Sequence, residues 1–153
     1  MIFLVVSKKS RNFAKTYCLM TTEEHIKYWV ELSDEDLKVG ETLLKNGHYL
    51  YAGFMCHQVI EKILKGCYVK LKNETPPFIH SLLRLAELTG LYDTFSDEQK
   101  TFVSMINPLN IEARYPEYKQ RITKQLTKER TTHFFEQTKQ FQQWTKETIL
   151  SKK

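Results

Sequence analysis

From residue 22 onward, apolar residues recur at three- and four-residue intervals, a period that predicts helices nearly throughout. Trp29, Leu32, Leu37, Gly40, Leu43 and Leu44 hold one stripe. They predict a single first helix to about residue 45. Thr21-x-x-Glu24 has the form of a capping box at its start, and Ser33-x-x-Asp36 offers a competing start or break. "KNG" ends the helix, with Gly47 free to take a left-handed cap. A second helix is predicted over 48–72, with Tyr51, Ala52, Phe54, Met55, Cys56, Val59, Ile60, Ile63, Leu64 and Cys67 apolar. That stripe is wider than a surface helix needs, so this helix is expected at the centre, touching several others or a second subunit. Pro76 and Pro77 stop it.

A third helix is predicted over 78–90, ended by Gly90, and a fourth after the box Ser96-x-x-Gln99. The stretch "NPLNIEARYPEYK" has no regular period and is expected to be irregular. The last helix, 127–150, sets Phe134, Phe135, Thr138, Phe141, Trp144, Thr145 and Ile149 at helical spacing, a stripe that fits core better than a partner surface. Only the leader has a strand-like run. The expected fold is all-α, an up-and-down bundle of four to five helices.

The leader, residues 1–19, differs from the rest: "MIFLVV" precedes Lys8, Lys9, Arg11 and Lys15, with no acid. Its charges follow the apolar run, the reverse of a signal peptide. The domain is expected to begin near Met20, with the leader weakly ordered or outside it. The net charge of +5 shrinks to +1 without the leader, and it is polarised. Residues 20–45 carry seven acids against three lysines, and residues 119–153 nine basic residues against three acids. That basic end could attract phosphates or form a solvated face. Cys18, Cys56 and Cys67 lack metal spacing, and along one helix the last two stand about 16 Å apart, too far for a disulfide. Sparse cysteines and the lack of a signal or membrane-length apolar run point to the cytoplasm.

The chemistry-bearing residues raise one main question. His57, Gln58, Glu61, Lys62 and Lys65 run down the second helix, with i,i+4 pairs among them. They form either a solvated face or a surface that meets a nucleotide, RNA or another subunit. Arg114 and Tyr115 in "RYP" are the second candidates. Arg114 offers a planar fork for phosphate, or a clamp to Glu61 or another acid, and Tyr115 offers a ring for stacking or packing. His80, four residues before Arg84, reads as a surface or capping residue. No cluster has metal-ligand spacing, no glycine-rich phosphate loop is present, and no cofactor is expected.

Three blocks in order resemble the HEPN domain (higher eukaryotes and prokaryotes nucleotide-binding). They are "YWVELSDEDLKVGETLLKNGHYLYAGFMCHQVIEKILKGCYVKL", "PPFIHSLLRLAELTGL" and "NIEARYPEY". The resemblance implies a helical bundle that forms a homodimer. It also implies a partner, since such proteins often accompany a minimal nucleotidyltransferase in a two-component or toxin–antitoxin-like pair.

Many HEPN proteins are metal-independent ribonucleases carrying Arg-x(4–6)-His late in the domain. Here the late histidine is His133, and Lys128, Thr127 and Leu126 occupy the positions where that arginine would stand, while Arg130 is too close. The expected role is therefore a nucleotide- or RNA-associated binding module. A ribonuclease with a non-standard site, such as Arg114 with His57 or His80, and a structural helical adaptor are the alternatives.

Overall fold

The computed structural model describes residues 20–152. The leader, with Cys18 and the strand-like run, lies outside the described residues. α1 (Thr22–Lys45) opens on the Thr21 capping box: the Thr21 hydroxyl accepts from the Glu24 amide at 3.2 Å, and the Glu24 carboxylate accepts from the Thr21 amide at 2.8 Å. Ser33 does not break the helix. Its hydroxyl turns inward and donates to the Val59 carbonyl at 2.9 Å. Gly47, at φ +79°, reverses the chain into α2 (Tyr49–Lys72).

α1 and α2 are antiparallel. Gly40 faces Met55, Ser33 bonds Val59, Trp29 packs on Gly66 and Thr22 bonds Asn73. Gly40 permits this closeness: a Cβ there would sit 3.0 Å from Phe135 and 3.1 Å from Met55. The wide stripe of α2 has the expected consequence, since α2 touches every other helix described below. Tyr51 departs from that stripe and is exposed.

α3 (Leu82–Thr89) starts later than the predicted residue 78. Pro76 and Pro77 hold the preceding chain extended, and Ser81 serves as the cap, accepting from the Arg84 amide. Gly90 at φ +74° ends the helix. A short 3₁₀ turn (Tyr92–Thr94) leads to α4 (Asp97–Ile106), which opens on the predicted Ser96–Gln99 box.

The stretch expected to be irregular is largely helical. It forms a single turn, α5 (Leu109–Glu112), and a full helix, α6 (Pro116–Gln125). Pro116 misleads the pattern reading, because proline breaks a helix interior but suits the first position, where no amide donor is needed. α7 (Lys128–Thr145) continues into a π-helical turn (Lys146–Leu150). It lies antiparallel to α1, with Gln142 donating to the Ser33 hydroxyl at 2.8 Å. Its Phe134, Phe135, Thr138, Phe141 and Thr145 are buried, so the stripe is core. No strand occurs among the described residues.

Candidate functional site: a buried charge cluster beside a basic aromatic surface

Residues spaced four apart share one helix face, so α2 stacks His57, Glu61 and Lys65 in a line. The structure settles the character of that line. The three are 0%, 4% and 6% exposed, so they are interior groups and not a solvated face. Gln58 and Lys62 flank them and are half-buried. Lys62 reaches across to Asp36 on α1, so it braces two helices.

Glu61 is the hub. Its Oε1 accepts from Lys65 Nζ at 2.8 Å, and both carboxylate oxygens lie 3.1 Å from His80 Nδ1. Burial opposes ionisation, but the hydrogen bond and charge of Lys65, then His57 and His80, outweigh it and hold the carboxyl below its usual range. Lys65 also places its ammonium 5.3 Å from the Trp29 ring centre. The lysine is thus enclosed by an anion and an aromatic face.

His57 Nε2 stands 3.0 Å from the His80 carbonyl, which can only accept, so the imidazole carries its proton on Nε2. Burial pushes its pKa down to about 4, against the opposing pull of Glu61, and the nearby charges of His80 and Arg114 lower it further. His57 is a neutral strut at neutral pH. His80 differs: with Nδ1 on Glu61, its side chain is 55% exposed. Among the described residues, its Nε2 has no hydrogen-bond partner.

Arg114 lies in the link between α5 and α6. Its guanidinium rests 5.4 Å from the ring centre of Phe54, one turn before His57 on α2. The ionic partner of Glu61 is Lys65, so Arg114 does not clamp Glu61; its charge reaches the cluster through His57. Beyond Arg114 the surface continues with exposed rings. Tyr115 is 56% exposed. Lys119 donates to the Tyr51 hydroxyl at 3.2 Å and lies over its ring, and Arg121 lies over Tyr118.

Pattern reading singles out His57, Glu61, Lys65 and Arg114, admits His80 only as an alternative partner of Arg114 in a ribonuclease site, and gives no site role to Trp29, Tyr51, Tyr118 or Lys119. His80 is 19 residues from Glu61 on a different element, so no periodicity links them. The interleaving of Tyr, Lys and Arg in "YPEYKQR" was the available signal for the surface rings and cations. No group of three or more His, Cys, Asp or Glu fit to hold a metal occurs among the described residues. No helix there is long and apolar enough to cross a membrane.

Comparison with known proteins gives three findings. No curated protein matches the chain. The crystal structure of TT1696 from Thermus thermophilus superposes with a TM-score of 0.67 at 21% identity, covering 80% of this chain and 97% of that one, and so shares its fold. The family description "HEPN domain" matches residues 26–148, which include most of α1, all of α2, the charge cluster and the basic aromatic surface. This chain belongs to the HEPN family.

Proposed function

We propose that this protein is a nucleotide- or RNA-associated binding module whose ligand lies across the N-terminal end of α2 and the α5–α6 link. The carrying observation is the alternation of cations with rings: Arg114 over half-buried Phe54, and Lys119 and Arg121 over the exposed rings of Tyr51 and Tyr118. Cations neutralise phosphates and release counterions, while rings stack on bases without demanding a sequence. Arg114 and Tyr115 act at this surface. His57, Gln58, Glu61, Lys62 and Lys65 brace it from α2.

The family resemblance supports a homodimer working beside a small nucleotidyltransferase. Fluorescence anisotropy with labelled single-stranded RNA and with nucleotides tests the binding reading. The expected result is saturable binding that weakens with salt and falls roughly tenfold in an Arg114→Ala, Lys119→Ala double variant. No binding by an intact dimer would leave a structural adaptor. Co-purification with a nucleotidyltransferase expressed from a neighbouring reading frame tests the partner.

One observation favours a second reading, RNA cleavage at a non-standard site. His80 donates Nδ1–H to a buried carboxylate and leaves Nε2 outward, the arrangement of a general base oriented by an acid. RNA cleavage that is lost in His80→Gln and kept in Lys124→Ala would support it. An absence of cleavage at high protein concentration would end it.

A further inference from the structure

A cleft of about 360 Å³ opens between the start of α4 and the middle of α7, away from the charge cluster. Its floor is aromatic. Phe102 and Phe141 are buried with ring centres 6.2 Å apart, and half-buried Trp144 stands 5.7 Å from Phe141. Its rim carries Glu98, Gln137 and Gln140. Among the described residues, none of these three side chains has a hydrogen-bond or ionic partner.

The neighbouring surface provides the contrast. A second concavity also borders Trp144 and Gln140, but its other polar groups are already paired: Lys139 with Glu136, which lies outside the concavity, and Gln143, which donates to Glu147. In the first cleft, Ser96 and Gln99 are consumed by the α4 capping box. What remains is an unpaired carboxylate, two unpaired amides and an indole.

We propose that this cleft binds a guanidinium group. No Lys, Arg or His lines it, so a phosphate would meet only the negative charge of Glu98. An apolar ligand would desolvate that carboxylate without replacing its hydrogen bonds. A guanidinium carries only donors, and the rim offers matching acceptors: the Glu98 carboxylate for a forked pair, and the amide oxygens of Gln137 and Gln140 for the remaining N–H groups. Its flat cation stacks on the Trp144 face. The cleft lies at the lower end of the size range of small-ligand sites, suited to one such group with a short alkyl stem. The group can belong to a small molecule or to an arginine side chain of a peptide. This site is independent of the basic surface and stands or falls separately from it.

The test uses the only two tryptophans in the chain. In a Trp29→Phe variant, Trp144 is the sole indole. Its emission is followed during titration with L-argininamide, with uncharged L-citrullinamide of the same shape, and with a Gly-Arg-Gly peptide. Argininamide should give a saturable change and citrullinamide none. Glu98→Gln should weaken argininamide roughly tenfold, because a charge-assisted pair becomes a neutral one. Gln140→Ala should weaken it as well. Both residues are exposed, so these variants keep the parent melting temperature. Binding of the free compound as tightly as the peptide assigns a small molecule, and tighter peptide binding assigns an arginine side chain. Equal responses to both amides, no saturation up to roughly 10 mM, or an unchanged Glu98→Gln variant overturns the proposal.

Discussion

Glu61 and Lys65, one turn apart on α2, form an ion pair at 2.8 Å with both side chains under 10% exposed: 5% for the acid and 8% for the base. On a surface, such a pair contributes a few tenths of a kcal/mol. In the interior, each partner depends on the other to offset lost hydration. Lys65→Met should therefore destabilise the fold by about 3 kcal/mol, because it leaves the buried Glu61 carboxylate with His80 as its one hydrogen-bonding side chain among the described residues. The double variant Glu61→Leu, Lys65→Met should recover most of that loss. Urea unfolding of both variants checks this, and equal instability of the two would contradict it.

Stability should fall in mildly acidic solution. His57 has its pKa depressed from 6.5 to about 4 by burial, so between those values the unfolded chain binds a proton that the folded chain does not. The unfolded state then binds more protons, and stability declines as pH drops through this window. The full depression corresponds to about 3 kcal/mol. Glu61 acts in the same direction. Its folded carboxyl lies below the usual range, so its contribution is present above the unfolded pKa and is lost as pH falls through the folded one. Urea midpoints measured from pH 7 to pH 4 should show the decline, with a shallower slope in His57→Gln.

Cys56 and Cys67 should be inert to thiol reagents in the native protein. Both are buried, and burial pushes each thiol up to about 12, which suppresses the reactive thiolate. Brief iodoacetamide treatment followed by mass spectrometry should find both unmodified in buffer and both alkylated in denaturant.

Gly40→Ala should destabilise the protein even though alanine favours helix by about 1 kcal/mol. The new methyl would meet Phe135 at 3.0 Å and Met55 at 3.1 Å, where three helices converge. Overpacking of this kind costs roughly 1–3 kcal/mol. A lowered melting temperature is expected, and a raised one would mean that Phe135 turns aside freely.

Most of the fold was legible in the sequence because its determinants are local. Capping boxes at Thr21 and Ser96, left-handed glycines at 47 and 90, and the wide stripe of α2 each act within a few residues. Ser33 and Pro116 were ambiguous for a physical reason. A serine can cap a helix or bond a neighbouring backbone, and a proline can break a helix or begin one. Tertiary contacts to Val59 and Gln142 resolve Ser33, and the extended Tyr115 before it resolves Pro116.

The candidate site divides in the same way. The sequence by itself determined that His57, Glu61 and Lys65 share one face of a central helix, because helical spacing dictates it. It could not determine whether that face meets water. Only the tertiary structure decided that, by placing Trp29 from α1 over Lys65 and His80 from the loop after α2 against Glu61. Burial and partner choice depend on which distant segments arrive. These follow from how the helices pack together, and no periodicity along one helix encodes them.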